Sequence, residues 1–119
     1  MDVERARDLL SDERRQVERE LHDTAAAAQE DRRVANESGD IADPAERLTA
    51  EQVDDAVTAS LRARLSAIER AEERIRRGTY GYSVRSGALI PDERLEADPA
   101  AELTVEEADE DTQAPDRGA

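Results

Sequence analysis

The chain has 119 residues, of which 40% are charged and 37% hydrophobic, and it contains no Phe, Trp or Cys. So short and charged a chain makes at most one ordinary domain, and it cannot fill a large apolar core. The formal net charge of −14 opposes direct binding to nucleic-acid phosphates. We therefore expect a molecule of long, solvated helices whose partner is a protein and not a nucleic acid.

Residues 2–35 contain no Gly or Pro, and their apolar side chains recur at steps of three, four or seven. Such spacing predicts one long helix. Four of these residues are each seven apart, which is the spacing of a coiled-coil seam: Val3, Leu10, Val17 and Thr24. The helix therefore needs a partner helix. His22 has no second histidine or cysteine with which to share a metal, and we predict that it lies on the surface or at the edge of the seam.

A second helix is predicted after a short turn. The first pattern stops at Asn36-Glu-Ser-Gly39, and glycine commonly follows a helix end. Asp43 is a candidate N-cap with Pro44 at the first helical position, although Thr49 to Gln52 forms a competing capping box that predicts a kink or break at Thr49. The expected apolar stripe consists of Val53, Val57, Leu61, Leu65, Ile68 and Ile75. Two helices joined by a short turn pack antiparallel, so residues 1–77 are predicted to form a helical hairpin with its tip at residues 39–45.

Turn-forming residues concentrate between Gly78 and Glu107, which include both tyrosines and three of the five glycines. This segment closely resembles the four-cysteine zinc-finger segment of the DksA/TraR family of bacterial RNA polymerase regulators. The matching positions are Gly78, Thr79, Tyr80, Gly81, Gly87, Ile90, Pro91, Arg94, Leu95, Ala97, Pro99 and Ala101. In that family four further positions are normally zinc-binding cysteines, and here they are Ser83, Ser86, Thr104 and Glu107. The resemblance thus implies a degenerate zinc-finger-like head with no metal.

A head without zinc needs another interaction to close it. Thr104-Val-Glu-Glu107 has the form of a capping box, and we predict that its reciprocal hydrogen bonds close the head and start a short C-terminal helix. Ser83 to Gly87 is predicted to be a turn between short strands, and Pro91 to Leu95 a single helical turn. Arg94 is expected to have a structural role, pairing with a local acid.

The predicted fold class is mainly α: a long antiparallel helical hairpin, or coiled coil, with a small degenerate zinc-finger-like head and a short C-terminal helix. The predicted domains are the hairpin at residues 1–77, the head at residues 78–108 and an acidic disordered tail at residues 109–119. This organisation places the hairpin tip away from the head.

The tip sequence Asp40-x-x-Asp43-x-Ala45 matches the tip signature of the DksA branch of the family. The resemblance implies a transcription regulator that binds RNA polymerase and inserts the hairpin into the secondary channel. Asp40, Asp43 and Ala45 would then be the partner-binding residues, near the catalytic centre. The plainer interpretation is that Asp43 is only an N-cap and Asp40 only a turn residue.

An alternative function is an acidic coiled-coil adaptor, or a nucleic-acid mimic that binds a basic protein surface. An enzyme is not expected, because the chain has one histidine and no glycine-rich phosphate loop. No cofactor and no metal site are predicted. No apolar run approaches the ~20 residues that span a bilayer, and the N-terminus lacks the apolar centre of a signal peptide. We therefore expect a cytoplasmic monomer with no membrane contact.

Overall fold

The described residues form four helices. The computed structural model describes the backbone of residues 1–38 and 44–113 and the side chains of residues 1–34 and 52–112. The helices are α1 (Val3–Ser38), α2 (Pro44–Arg77), α3 (Asp92–Ala97) and α4 (Val105–Gln113). Within the described backbone there is no β-strand, and one isolated antiparallel bridge joins Tyr82 to Leu89. The predicted mainly α fold class is confirmed, whereas the short strands predicted around residues 83–87 are reduced to this bridge.

The chain divides into two compact units, residues 14–66 and residues 1–13 with 67–119. Both long helices contribute to each unit. In the unit of residues 14–66, Val17 of α1 and Leu61 of α2 are buried, and the Glu20 carboxylate lies 3.7 Å from the Arg64 guanidinium. The two helices therefore lie side by side near the middle of each. His22 is exposed, as predicted.

The seam of α2 differs from the predicted stripe in this unit. Val53 and Val57 are 56% and 44% exposed, whereas Asp54 and Thr58 are half-buried. Stepping back from Leu61 by three and then four residues leads to Thr58 and Asp54, the positions that a heptad repeat directs to the partner helix. The prediction that Val53 and Val57 belong to the seam is therefore wrong, because it followed the apolar residues and not the heptad register.

The second unit contains the largest buried side chains of the helix pair. Ala6 and Leu10 of α1 and Ile68 of α2 have no exposed surface. Ser11 of α1 lines one groove together with Ile75 of α2. This earlier residue of α1 faces a later residue of α2 than Glu20 does, which is the antiparallel order that the sequence predicts. The Val3 side chain is 40% exposed, and the seam begins one turn later than predicted.

The end of α2 is fixed by a glycine. The Gly78 N–H donates to the Ile75 carbonyl at 3.2 Å, and the Thr79 N–H donates to the Arg74 carbonyl at 2.9 Å. This pair of bonds is a Schellman motif, which needs a left-handed residue just after the helix. Gly78 has a φ of 76°, a conformation that costs little only for glycine. The chain thus leaves α2 at a defined angle and enters the head.

The head, residues 78–113, has a small core below α3. Ile90, Leu95 and Ala101 are buried, and the Tyr80 hydroxyl donates to the Pro99 carbonyl at 2.8 Å. Burial raises the pKa of the Tyr80 phenol to about 12. The core therefore uses the positions that the family resemblance singled out.

Three boundaries predicted from the sequence have different outcomes in the structure. α2 is continuous from Pro44 to Arg77, so the break considered at Thr49 does not occur. α4 continues to Gln113, and the first part of the tail predicted from residue 109 is therefore helical. The predicted caps at Gly39 and Asp43 lie outside the described residues, as do residues 114–119 of the predicted tail.

Candidate functional site

A reciprocal cap starts α4. The Thr104 N–H donates to Glu107 Oε1 at 2.9 Å, and the Glu107 N–H donates to Thr104 Oγ1 at 3.2 Å. Because α4 begins at Val105, Thr104 is the N-cap residue and Glu107 is the third helical residue. This is the capping box that the sequence predicts.

The Ser83 and Ser86 hydroxyls, on the turn that follows the bridge residue Tyr82, also act on the Glu107 carboxylate. The pKa of this carboxyl is lowered to about 2, mainly by the Thr104 N–H and the Ser83 hydroxyl. The Ser86 and Thr104 hydroxyls make smaller contributions. Partial burial opposes the shift but does not cancel it. The structure thus brings together all four positions that the sequence singled out in the head. We call Ser83, Ser86, Thr104 and Glu107 the Glu107 cluster.

Ser83 links this cluster to its own turn. Its side chain is almost fully buried, and its Oγ accepts hydrogen bonds from the Arg85 and Ser86 N–H groups at 3.1 and 3.2 Å. The Gly87 N–H closes the turn onto the Ser83 carbonyl at 2.9 Å. A serine hydroxyl that accepts hydrogen bonds from nearby backbone N–H groups commonly stabilises a tight turn. Ser83 therefore stabilises both its own turn and the start of α4.

Arg85 joins the same turn to α4. Its Nη2 atom lies 2.7 Å from each Asp111 carboxylate oxygen, and its Nη1 atom donates to the Glu107 carbonyl at 3.4 Å. Arg85 therefore holds α4 against the turn. The sequence around Arg85 does not indicate this ion pair, because Asp111 lies 26 residues away. Within the described residues, α4 has no basic side chain of its own to balance its five acids.

Two further arginine contacts hold the loop before α4. Arg94 Nε donates to the Leu103 carbonyl at 2.9 Å, so its role is structural as predicted, although its partner is a backbone oxygen and not an acid. Arg70 Nε and Arg74 Nη1 lie 2.6 and 3.2 Å from Glu102 Oε1. This loop is therefore tied to both α3 and the end of α2.

The Glu107 cluster does not suit a zinc ion. Structural zinc takes thiolate, imidazole or carboxylate ligands, usually four of them, and three of the four side chains here are neutral hydroxyls. Their hydrogen-bonding capacity is directed at the carboxylate and at backbone N–H groups. The arrangement can close a turn and cap a helix by itself, which is the work that a structural metal does in a small domain.

The low pKa of Glu107 predicts a specific pH dependence. The folded head binds the proton more weakly than the unfolded chain, since the pKa falls from an ordinary value of 4.5 to about 2. The stabilisation is therefore complete above about pH 4.5 and is lost as the pH falls toward 2. Glu107→Gln keeps an acceptor oxygen but not the charge, so its deficit in urea midpoint against the wild type should shrink over this range. A deficit that stays constant between pH 5 and pH 2.5 would contradict the assignment.

Only one of the three predicted tip residues lies in the described part of the backbone. Asp40 and Asp43 lie outside the described residues, and Ala45 lies in the first turn of α2. The two aspartates fall in the short connection between α1 (Val3–Ser38) and α2 (Pro44–Arg77). Their role as partner-binding residues stays a prediction.

Comparison with solved structures identifies the class of fold. The chain superposes on the structure of transcription factor DksA2 from Pseudomonas aeruginosa with a TM-score of 0.79, at 26% identity, over 93% of this chain and 83% of that one. No family model matches the sequence. The fold is therefore DksA-like, in agreement with the resemblance found in the sequence.

A curated relative identifies the family. General stress protein 16O of Bacillus subtilis (strain 168) is 33% identical over 112 residues, which cover 89% of this chain and 69% of that protein. The chain belongs to the same family as general stress protein 16O. In the described part of the chain, no helix is long and apolar enough to cross a membrane.

Proposed function

We propose that this protein is a transcription regulator that binds bacterial RNA polymerase. The observation that carries the proposal is the DksA-like fold, shared over 93% of the chain with a protein described as a transcription factor. The resemblance to the DksA/TraR family supports the more specific mode of action: the paired helices enter the secondary channel of the polymerase and bring the tip close to its catalytic centre.

The position of the acidic tip motif supports this mode. Asp40 and Asp43 fall between α1 and α2, and Ala45 lies just inside α2. Each helix has more than thirty residues, and an α-helix advances ~1.5 Å per residue. A helix pair of this length can carry two carboxylates to a place that a compact domain could not reach. There they would act on a magnesium-bearing, basic centre through their charge.

We also propose that this family member works without a structural metal, and the contacts within the head support this. The Glu107 cluster, the Arg85 contacts and the Arg94 contact together hold the turn, the loop and α4. No cofactor enters the proposed action, and the protein acts in the cytoplasm as a monomer. Its contact is with the polymerase itself, because the acidic charge of the chain opposes direct contact with nucleic acid.

Site-specific photocrosslinking to purified polymerase tests the proposal. A photoreactive amino acid is placed at Ala42, between the two tip aspartates, and at the exposed Ala27 of α1 as a matched control. We expect crosslinks from position 42 to map to elements around the catalytic centre and crosslinks from position 27 to map elsewhere. Labelled protein should bind the polymerase saturably, and unlabelled protein should compete.

The same experiment distinguishes the alternative. An acidic adaptor or nucleic-acid mimic recognises a basic surface through its overall charge, so it would crosslink at outer surfaces or bind other basic proteins equally well. Crosslinks from position 42 that avoid the catalytic centre would contradict insertion of the tip. Failure of the wild type to bind polymerase would contradict the proposed function as a whole.

A further inference from the structure

The helix pair has a seam of small and polar side chains in the part that leads to the connection between α1 and α2. Among the described residues 22–34 of α1 and 52–60 of α2, no residue is buried. The half-buried residues of these two ranges are Thr24, Ala28, Asp54 and Thr58. We call the two ranges together the distal segment. Its seam contains no large apolar side chain.

The two ranges lie alongside each other. The Glu20 carboxylate lies 3.7 Å from the Arg64 guanidinium, and the helices run in opposite directions with the same rise of ~1.5 Å per residue. Going forward along α1 from Glu20 and backward along α2 from Arg64 therefore keeps residues 22–34 level with residues 52–60. Each range covers the half-buried side chains of the other.

Burial in the seam changes abruptly outside the distal segment. Val17 and Ile68 have no exposed surface, and Leu61 is only 6% exposed. Removal of apolar surface from water is the dominant favourable contribution to the packing of one helix on another. This contribution ends at Leu61 on α2 and is almost absent from the distal segment.

Asp54 weakens the distal seam further. It lies seven residues before Leu61, at the heptad position that faces the partner helix. Its carboxylate is half-buried, yet it has no hydrogen bond or ion pair with another described residue. Removing a charged group from water without a partner opposes folding. The apolar residues of this range, Val53 and Val57, are 56% and 44% exposed and contribute little to the pairing.

A weak seam leaves the two ranges with little stability of their own. A helix shorter than about 15 residues is marginal in water unless another element packs against it. Proteins open locally in cooperative units, and the free energy of opening is lowest where few apolar side chains are buried. The distal segment meets this description, and the part of the helix pair that holds Leu10 and Ile68 does not.

We infer that the distal segment opens as a unit of its own while the part of the helix pair with the buried seam stays closed, and that Asp54 sets how often it opens. The inference goes beyond the proposed function and does not depend on it. Asp40 and Asp43 follow this segment along the chain. Its opening therefore limits how long they are held at the end of a paired arm.

Amide hydrogen exchange of the free protein, resolved by NMR and corrected for intrinsic rates, tests the opening. Amides of residues 22–34 and 52–60 should exchange at least about ten-fold faster than those of residues 8–17 and 64–75. Within the distal segment the rates should be similar, because one opening event exposes all of these amides. Protection that declines smoothly toward the helix ends would mean ordinary fraying, and it would overturn the inference. Equal protection along both helices would also overturn it.

Two neighbouring substitutions test the role of Asp54. Asp54→Leu removes the unpaired carboxylate and adds an apolar side chain to the seam, so it should slow exchange in both ranges about ten-fold. Asp55→Leu is the matched control, because it makes the same chemical change at an exposed position, and it should alter exchange by less than about two-fold. Equal slowing by both variants would contradict the role of Asp54. Slowing confined to α2 would contradict opening as one unit.

Discussion

Replacing Ser83, Ser86, Thr104 and Glu107 together with cysteine is expected to produce a chain that binds one zinc ion. The Ser83, Ser86 and Thr104 side chains already lie next to the Glu107 carboxylate, and the two pairs have the short spacing that places two sulfurs on one tetrahedral ion. Structural zinc contributes ~10 kcal/mol or more to the folding of small domains. The variant should therefore be far more stable with zinc than without it.

Elemental analysis and thermal unfolding with and without a chelator measure this effect. The chelated variant should lose part of its helical circular dichroism, because it lacks the cap of α4, whereas a chelator should leave the wild type unchanged. Ser83→Cys with Ser86→Cys is the control, since two thiolates bind zinc much more weakly than four. A four-cysteine variant that takes up no zinc would contradict the proposal that these are former ligand positions.

Leu95→Ala is expected to destabilise the head by about 2–5 kcal/mol, the usual cost of truncating a fully buried leucine. Leu95 has no exposed surface, and its Cδ1 atom lies 3.9 Å from the position that a Cβ on Gly81 would occupy. So large a loss is a substantial fraction of the stability of a small domain.

Leu89→Ala provides the matched control in urea unfolding. The same chemical change at a side chain that is 67% exposed should move the free energy of unfolding by less than about 0.5 kcal/mol. Equal losses from the two substitutions would mean that α3 does not cover the core as described.

Much of the fold could be predicted from the sequence because its signals are local. The capping box at Thr104 and Glu107 is a four-residue pattern with one mechanism, and the structure forms it as predicted. The glycine at residue 78 marks the end of α2 for a similarly local reason. The antiparallel pairing of α1 and α2 follows from two amphipathic helices joined by a short connection.

The features that could not be predicted depend on the heptad register of α2 or on contacts between residues that are far apart in the sequence. The apolar character of Val53 and Val57 favours a place in the seam, but the heptad positions belong to Asp54 and Thr58. The ion pair of Arg85 with Asp111 joins residues 26 positions apart. Among so many charged residues, no local pattern selects the pair that meets.

The role of the Glu107 cluster was only half predictable. The T-x-x-E spacing indicated a cap between Thr104 and Glu107, but the contribution of the Ser83 and Ser86 hydroxyls to the same carboxylate needs the fold of the turn. The family resemblance grouped these positions as zinc ligands, and the structure joins the residues now present there by hydrogen bonds.

We propose that acidic residues at the hairpin tip act at the polymerase catalytic centre, and a reconstituted transcription assay can decide this. Asp40→Asn with Asp43→Asn removes two charges, and asparagine caps a helix as well as aspartate does. Asp109→Asn with Glu110→Gln removes two charges from the exposed part of α4 as the matched control. We expect the tip variant to bind polymerase with nearly unchanged affinity yet to lose its effect on transcription, while the control keeps that effect. A tip variant that binds polymerase and regulates transcription as the wild type does would mean that the tip carboxylates do not act at the catalytic centre.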